Sequence, residues 1–254
     1  MELPIGELRA IASRELAQAG AKPLFVTISG AHLYGFASLD SDFDVRGAHL
    51  QPLPKVLSLS PPRETIELSG EEDGRDIDLV SHEAAKFFRL VLSRNGYVME
   101  QIFSPLVVIG GPHLDELREI AAGCITKGLH HHYRGFYETQ VGLHEREPLK
   151  KAKTLLYVYR VLLTGIHVLR HGRIESNLLK LVEGGEFVAQ VRELMRAKSR
   201  ERATLTPAQV VPHRECIEKL RAEMDEAWVD SQLPEVPPAA ADLDAFLYRL
   251  RTNP

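Results

Sequence analysis

The chain has 254 residues, 44% of them hydrophobic, with 31 basic against 35 acidic side chains, 11 His and a formal net charge of −4. That length admits one large domain or two smaller ones with a sizeable core, and the acidic balance argues against gripping long nucleic-acid duplexes over a broad basic face, though not against a local basic groove. Cys124 and Cys216 are too far apart for a metal-ligand spacing and are expected to be reduced and buried, while the lack of a signal-peptide profile and of any apolar run near the roughly 20 residues of a membrane span predicts a cytoplasmic location.

Residues 2–19 place Leu3, Leu8, Ile11, Ala12, Leu16 and Ala19 at helical spacing, and Gly20 closes the segment. Residues 24–28 read as a first strand that ends in Ser29 and Gly30. A short helix is expected over residues 32–36, with a start that favours a phosphate, and a second strand over residues 43–50. Strand alternation puts Asp42 and Asp44 on one side. Two carboxylates that close repel and lose solvation together, at a cost of several kcal/mol unless a cation sits between them; a hard divalent metal is the simplest compensation.

Pro52, Pro54, Pro61 and Pro62 punctuate a looped segment with a short strand expected over residues 56–59. Residues 65–68 and 76–80 read as the two strands of a hairpin around the polar turn 70–75, which aligns Asp76 with Asp78 and sets Glu67 across from them. Taken alone, this segment reads as a solvated hairpin. Residues 82–94 form a helix with a wide apolar face and a stop at Asn95-Gly96, and Val107, Val108 and Ile109 form a last edge strand.

Beyond His113 the period changes from two to about 3.6. Helices are expected over 114–122, 130–145, 149–171, 186–200, 207–228 and 241–251. The reading is therefore α+β: a sheet domain over 1–112 and a helical domain over 113–254, with a ligand-binding cleft between the halves. On the helix from Lys150, Lys153, Tyr157 and Arg160 share one face at i, i+4 and i+7; spacing alone makes this an exposed face with solvated cations. His130, His131 and His132 diverge by about 100° per residue and cannot all ligate one ion. His167 and His171 stand at i, i+4 but enclose no general-base Glu, and read as structural or exposed. Asp225, Glu226 and Trp228 read as a helix end packed on the core, and residues 234–238 as a linker.

Gly30-Ala31, a gap, and then Ser41-Asp42-Phe43-Asp44-Val45-Arg46-Gly47 resemble the signature of the DNA polymerase beta nucleotidyltransferase superfamily, in which Gly-Ser precedes an Asp-x-Asp pair. More narrowly, the string Gly-Phe-Ala-Ser-x-Asp-Ser-Asp-x-Asp-Val-Arg over residues 35–46 is similar to bacterial and phage nucleotidyltransferases associated with RNA repair. Ala31 stands where that family usually has Ser, so backbone N–H groups are kept and a hydroxyl ligand is lost. The resemblance extends over about residues 24–170. It includes an Asn95…Glu100 segment that fixes the fold, a Tyr-containing segment at His132-Tyr133-Arg134-Gly135, and a second motif, Lys153-x-x-x-Tyr157-Val158-x-Arg160.

The resemblance implies two Mg²⁺ (or Mn²⁺) ions held by Asp42, Asp44 and Asp78, with Asp76 the alternative third carboxylate. One ion would bridge the β- and γ-phosphates, and the other would activate a hydroxyl for attack on the α-phosphate. It further implies that Gly30 and Ala31 hold triphosphate through the backbone, that Ser41 joins the nucleotide-binding set, and that Lys153 and Arg160 neutralise charge as pyrophosphate leaves, with Tyr157 beside base or ribose. Arg46 reads equally as a nucleotide contact or as the partner of a neighbouring carboxylate. The implied activity moves an NMP from an NTP, ATP favoured, to an RNA end. A protein acceptor, as for nucleotidyltransferase antitoxins, and a non-catalytic nucleotide-binding module are the alternatives.

Overall fold

The computed structural model describes residues 3–72, 74–198 and 203–252. The chain divides into two compact units, one of residues 1–33, 42–124 and 237–254 and the other of residues 34–41 and 125–236.

The first unit opens with α1 (Ile5–Gln18) and β1 (Lys22–Ile28). Next come α2 (Gly30–Tyr34), whose last residue enters the second unit, and β2 (Phe43–Leu50). A single helical turn, α3 (Leu53–Val56), precedes β3 (Thr65–Glu72) and β4 (Arg75–Glu83). Then follow α4 (Ala84–Leu92), α5 (Gly96–Phe103), β5 (Val107–Ile109) and α6 (Pro112–Ala122). The five strands form one mixed sheet in the order β3-β4-β2-β1-β5, in which the β2–β4 pair is parallel and the other pairs antiparallel. Leu8, Ile11, Ala12 and Leu16 of α1 pack on Val26, Ile28, Val45, Leu79 and Val108 of the sheet. From other strand positions Phe25 meets Phe87 of α4 edge-on at 5.3 Å. Burial of these apolar side chains, worth roughly 1.5–3 kcal/mol each, supplies the main driving force for the layering.

The second unit holds α7 (Leu129–Arg146), α8 (Ala152–His171), α9 (Leu178–Leu181), α10 (Val188–Ala197) and α11 (Pro207–Asp230). The chain then returns to the first unit as α12 (Ala240–Thr252), where Phe246 stacks on Phe88 at 5.8 Å and Arg251 pairs with Glu83. By length and composition α8 is apolar enough to cross a membrane, more than the sequence reading expects, yet 78% of that stretch is buried inside the protein.

The expected strand over 56–59 is instead the last residue of α3, Val56, followed by turn and bend: Pro52 caps α3 and Pro54 sits in its first turn, where a fixed φ and a missing N–H favour a helix start. The units also depart from a division at 112/113. Helix α6 stays with the sheet because Arg118 donates to Ile102 O at 2.9 Å and Ser104 O at 2.8 Å, and α12 closes over α4. Asn95, expected as a helix stop, also caps α5 by accepting from Tyr97 N at 3.0 Å. Cys124 is buried but Cys216 only half-buried. The expected helix over 186–200 appears as α10, and residues 199–200 lie outside the described residues. The three consecutive histidines serve packing: His130 stacks on Trp228 at 4.7 Å and lies 3.3 Å from Asp225.

His49 is fully buried on β2, with Nδ1 2.9 Å from Ser81 Oγ, and burial holds its imidazole down to about 4 from an ordinary value of 6.5. The unfolded chain therefore takes up this proton below pH 6.5 while the folded chain resists it until about pH 4. Stability is full above the unfolded value and falls as the pH drops through that window, by ~3 kcal/mol from this residue. Thermal melts at pH 7 and pH 4.5 are expected to show the loss, and His49→Gln to reduce it.

Candidate active site

The end of β1 is pinned before the chain turns. Ile28 N donates to Leu106 O at 2.8 Å, Ser104 Oγ donates to Ile28 O at 2.9 Å, and Ser29 N donates to Asp44 O at 2.8 Å. Gly30 then takes a left-handed conformation, φ +59°, against the Asp44 side chain. A Cβ at this position would lie 1.8 Å from Asp44 Oδ2, so only glycine lets the turn approach the carboxylate. Ala31 is 2% exposed. His32 stacks on Phe43 at 4.4 Å, which ties α2 to the start of β2.

The parallel register of β2 and β4 sets Asp44 opposite Asp78. Strand alternation then points their side chains to the same face of the sheet, and Asp42, half-buried, lies just before β2. Asp76, the alternative third carboxylate, is exposed. Arg46, two residues beyond Asp44, joins the opposed pair: its Nη2 donates to Asp44 Oδ1 at 2.7 Å and to Asp78 Oδ2 at 2.6 Å. Its Nη1 donates to Val45 O at 3.0 Å and also to Asp78 O. Arg46 thus pairs with both carboxylates, the second of the two readings open for it, while the first, a contact to nucleotide, is a matter of proposal. Among the described residues no three His, Cys, Asp or Glu side chains are gathered so that they could already hold a metal ion. The opposed donors of Asp44 and Asp78 are nevertheless all oxygens, and two carboxylates against one guanidinium leave a net negative charge, which suits a hard cation in kind.

The segment Tyr34–Ser41 belongs to the helical unit, and residues distant in sequence hold it there. Gly35, φ +80°, packs so closely on Asn177 that a Cβ would lie 2.8 Å from its side-chain amide. Lys198, 4% exposed, donates to Phe36 O and to Ser38 Oγ at 3.0 Å each. Ser41 Oγ accepts from Ser38 N at 2.9 Å and closes the turn before Asp42. The Arg160 guanidinium lies 4.0 Å from the centroid of the Tyr34 ring and 5.2 Å from that of Phe136. Arg160 is 0% exposed, which differs from the exposed face of solvated cations that spacing alone predicts: aromatic rings lie against it. Lys153 and Tyr157 on the same helix are half-buried. Asn177 carried a signal as the cap before an apolar run, accepting from Leu179 N at 3.1 Å; nothing in the local sequence singles out Lys198.

Comparison with known proteins decides the family. The model of RlaP, the RNA repair pathway DNA polymerase beta family, matches residues 4–249. The chain belongs to the RlaP family. This is the family that the Gly30-Ala31 and Asp-x-Asp residues resemble. An uncharacterized protein of Methanocaldococcus jannaschii is 36% identical over 160 residues, a match spanning 61% of this chain and 63% of that protein. The uncharacterized protein YcgL of Bacillus subtilis is 26% identical over 189 residues, 71% of each chain. The crystal structure of a nucleotidyltransferase-like protein from Exiguobacterium sibiricum aligns with 98% of this chain and 81% of its own, at 12% identity and a TM-score of 0.33.

Proposed function

We propose that this RlaP-family chain moves a nucleoside monophosphate from an NTP, ATP favoured, to a hydroxyl at an RNA end, and that Asp42, Asp44 and Asp78 are the residues that carry the reaction. The observation that supports this most is the in-register meeting of Asp44 and Asp78 on parallel neighbouring strands, with Gly30 bringing a turn of backbone against Asp44.

A divalent cation, Mg²⁺ or Mn²⁺, held by Asp42, Asp44 and Asp78 would supply neutralisation of the triphosphate and acidify the attacking hydroxyl. The chain's own part is positional. Backbone N–H groups at Gly30 and Ala31 offer a hydrogen-bonding edge to phosphate oxygens, and Ser41 fixes the turn that presents Asp42. The acceptor oxygen forms a new bond to the α-phosphorus while the bond to the bridging oxygen breaks and pyrophosphate leaves. Asp78 is the more exposed of the opposed pair, with 38% of its side chain accessible against 21% for Asp44, and is the group to take up the hydroxyl proton. On the helical unit, Lys153 and Tyr157 are the proposed nucleotide contacts, and Arg160 is assigned to holding Tyr34.

The buried methyl of Ala31, where the family usually has a hydroxyl, favours a second reading in which nucleotide is bound without transfer. Pyrophosphate release separates the two. The purified protein with Mg²⁺, NTP and cellular RNA is expected to release pyrophosphate in proportion to acceptor; nucleotide binding with no release over many hours favours the binding reading, and release with a protein fraction instead of RNA reassigns the acceptor.

A further inference from the structure

We infer that Arg46 is a built-in counter-cation, which holds Asp44 and Asp78 together when no metal is bound and must yield carboxylate oxygens when one arrives. The inference rests on the metal-dependent reading of the site proposed above. Asp44 and Asp78 are directly opposed on adjacent strands, and two like charges so placed repel unless a cation stands between them. Arg46 supplies that cation from within the fold. A single nitrogen, Nη2, donates to both carboxylates, while Nη1 is tied to main-chain oxygens of Val45 and Asp78 on both strands. The guanidinium is thus anchored at one end and shared at the other. Only 19% of its side chain is accessible, so water does not replace it freely.

Two consequences follow from charge alone. A divalent ion that takes up Asp44 and Asp78 competes with an interaction already made and stands close to a fixed positive charge, which weakens its binding to the free protein. The negative charges of a triphosphate offset that repulsion, so the metal loads best together with nucleotide. Arg46 is a positioning residue in this account: it acts through the two aspartates.

The test measures Mn²⁺ binding without nucleotide, by loss of the free-ion electron paramagnetic resonance signal, in the wild-type protein, Arg46→Gln and Arg46→Lys, with circular dichroism and melting as checks on folding. Arg46→Gln keeps reach and a hydrogen-bond donor but removes the charge, and is expected to bind Mn²⁺ about tenfold more tightly than wild type. Arg46→Lys keeps the charge and is expected to stay within about threefold of wild type. Equal or weaker binding by Arg46→Gln, with wild type binding measurably, overturns the competition while leaving the metal site in place. Absence of Mn²⁺ binding by all three folded proteins at millimolar metal overturns the metal-dependent reading itself, and this inference with it.

Discussion

Asp44→Asn is expected to lower nucleotidyl transfer about a thousandfold, the equivalent of about 4 kcal/mol, because it removes the carboxylate that the strand register places beside Asp78 and the Gly30 turn. The substitution is nearly isosteric and leaves Arg46 paired with Asp78. A partly exposed ion pair contributes only about 1 kcal/mol, so melting should shift by no more than about 4 °C in a chain of this size. Loss of transfer with a preserved melt supports a direct role. Transfer within tenfold of wild type would show that Asp44 does not hold the reacting nucleotide's cation.

Gly30→Ala is expected to be almost as damaging, for a different reason. The alanine must adopt φ +59° and its Cβ would stand 1.8 Å from Asp44 Oδ2 and 2.6 Å from Asp44 Cγ. Left-handed backbone costs about 1 kcal/mol for a residue with a side chain, and the overlap forces either the turn or the carboxylate to move. Because Asp44 is held by Arg46, both transfer and stability should fall together. A double-mutant cycle isolates the contact: in an Asp44→Ala background the nearest remaining side-chain atom, Cβ, would lie 3.0 Å away, so the stability cost of Gly30→Ala should shrink by about 1 kcal/mol or more. Full additivity of the two substitutions would mean that the close approach does not govern the turn.

What was legible in the sequence was local. The alternation through Asp42, Phe43, Asp44 and Val45 specified a strand with acidic side chains on one face, and the hairpin pattern around residues 70–75 placed Asp78 on its returning strand; β2 and β4 are those strands. The pairing of β2 with β4 turns two local patterns into one opposed pair. That Arg46 bridges both carboxylates was likewise beyond local reading, since Asp78 reaches it only through that pairing. What escaped was long-range. Lys198 reaches Phe36 and Ser38 across roughly 160 residues of chain, and no periodicity records such a contact. The same holds for the inclusion of Tyr34–Ser41 in the helical unit and the return of α12 to the first unit, where it packs on α4. Arg160 misled because helix spacing tells which residues share a face, whereas Tyr34 and Phe136 decide that this part of the face is closed.

The most direct test of the central claim is label transfer. Wild-type protein and an Asp42→Ala/Asp44→Ala variant are incubated with each α-³²P-labelled NTP, Mg²⁺ and RNA carrying either a free or a phosphate-blocked 3′ hydroxyl, and the RNA is resolved by size. Label is expected on the free-ended RNA with wild type alone, and strongest with ATP. Label that persists in the double variant, or wild-type protein that binds the nucleotide and labels no RNA, would contradict that claim.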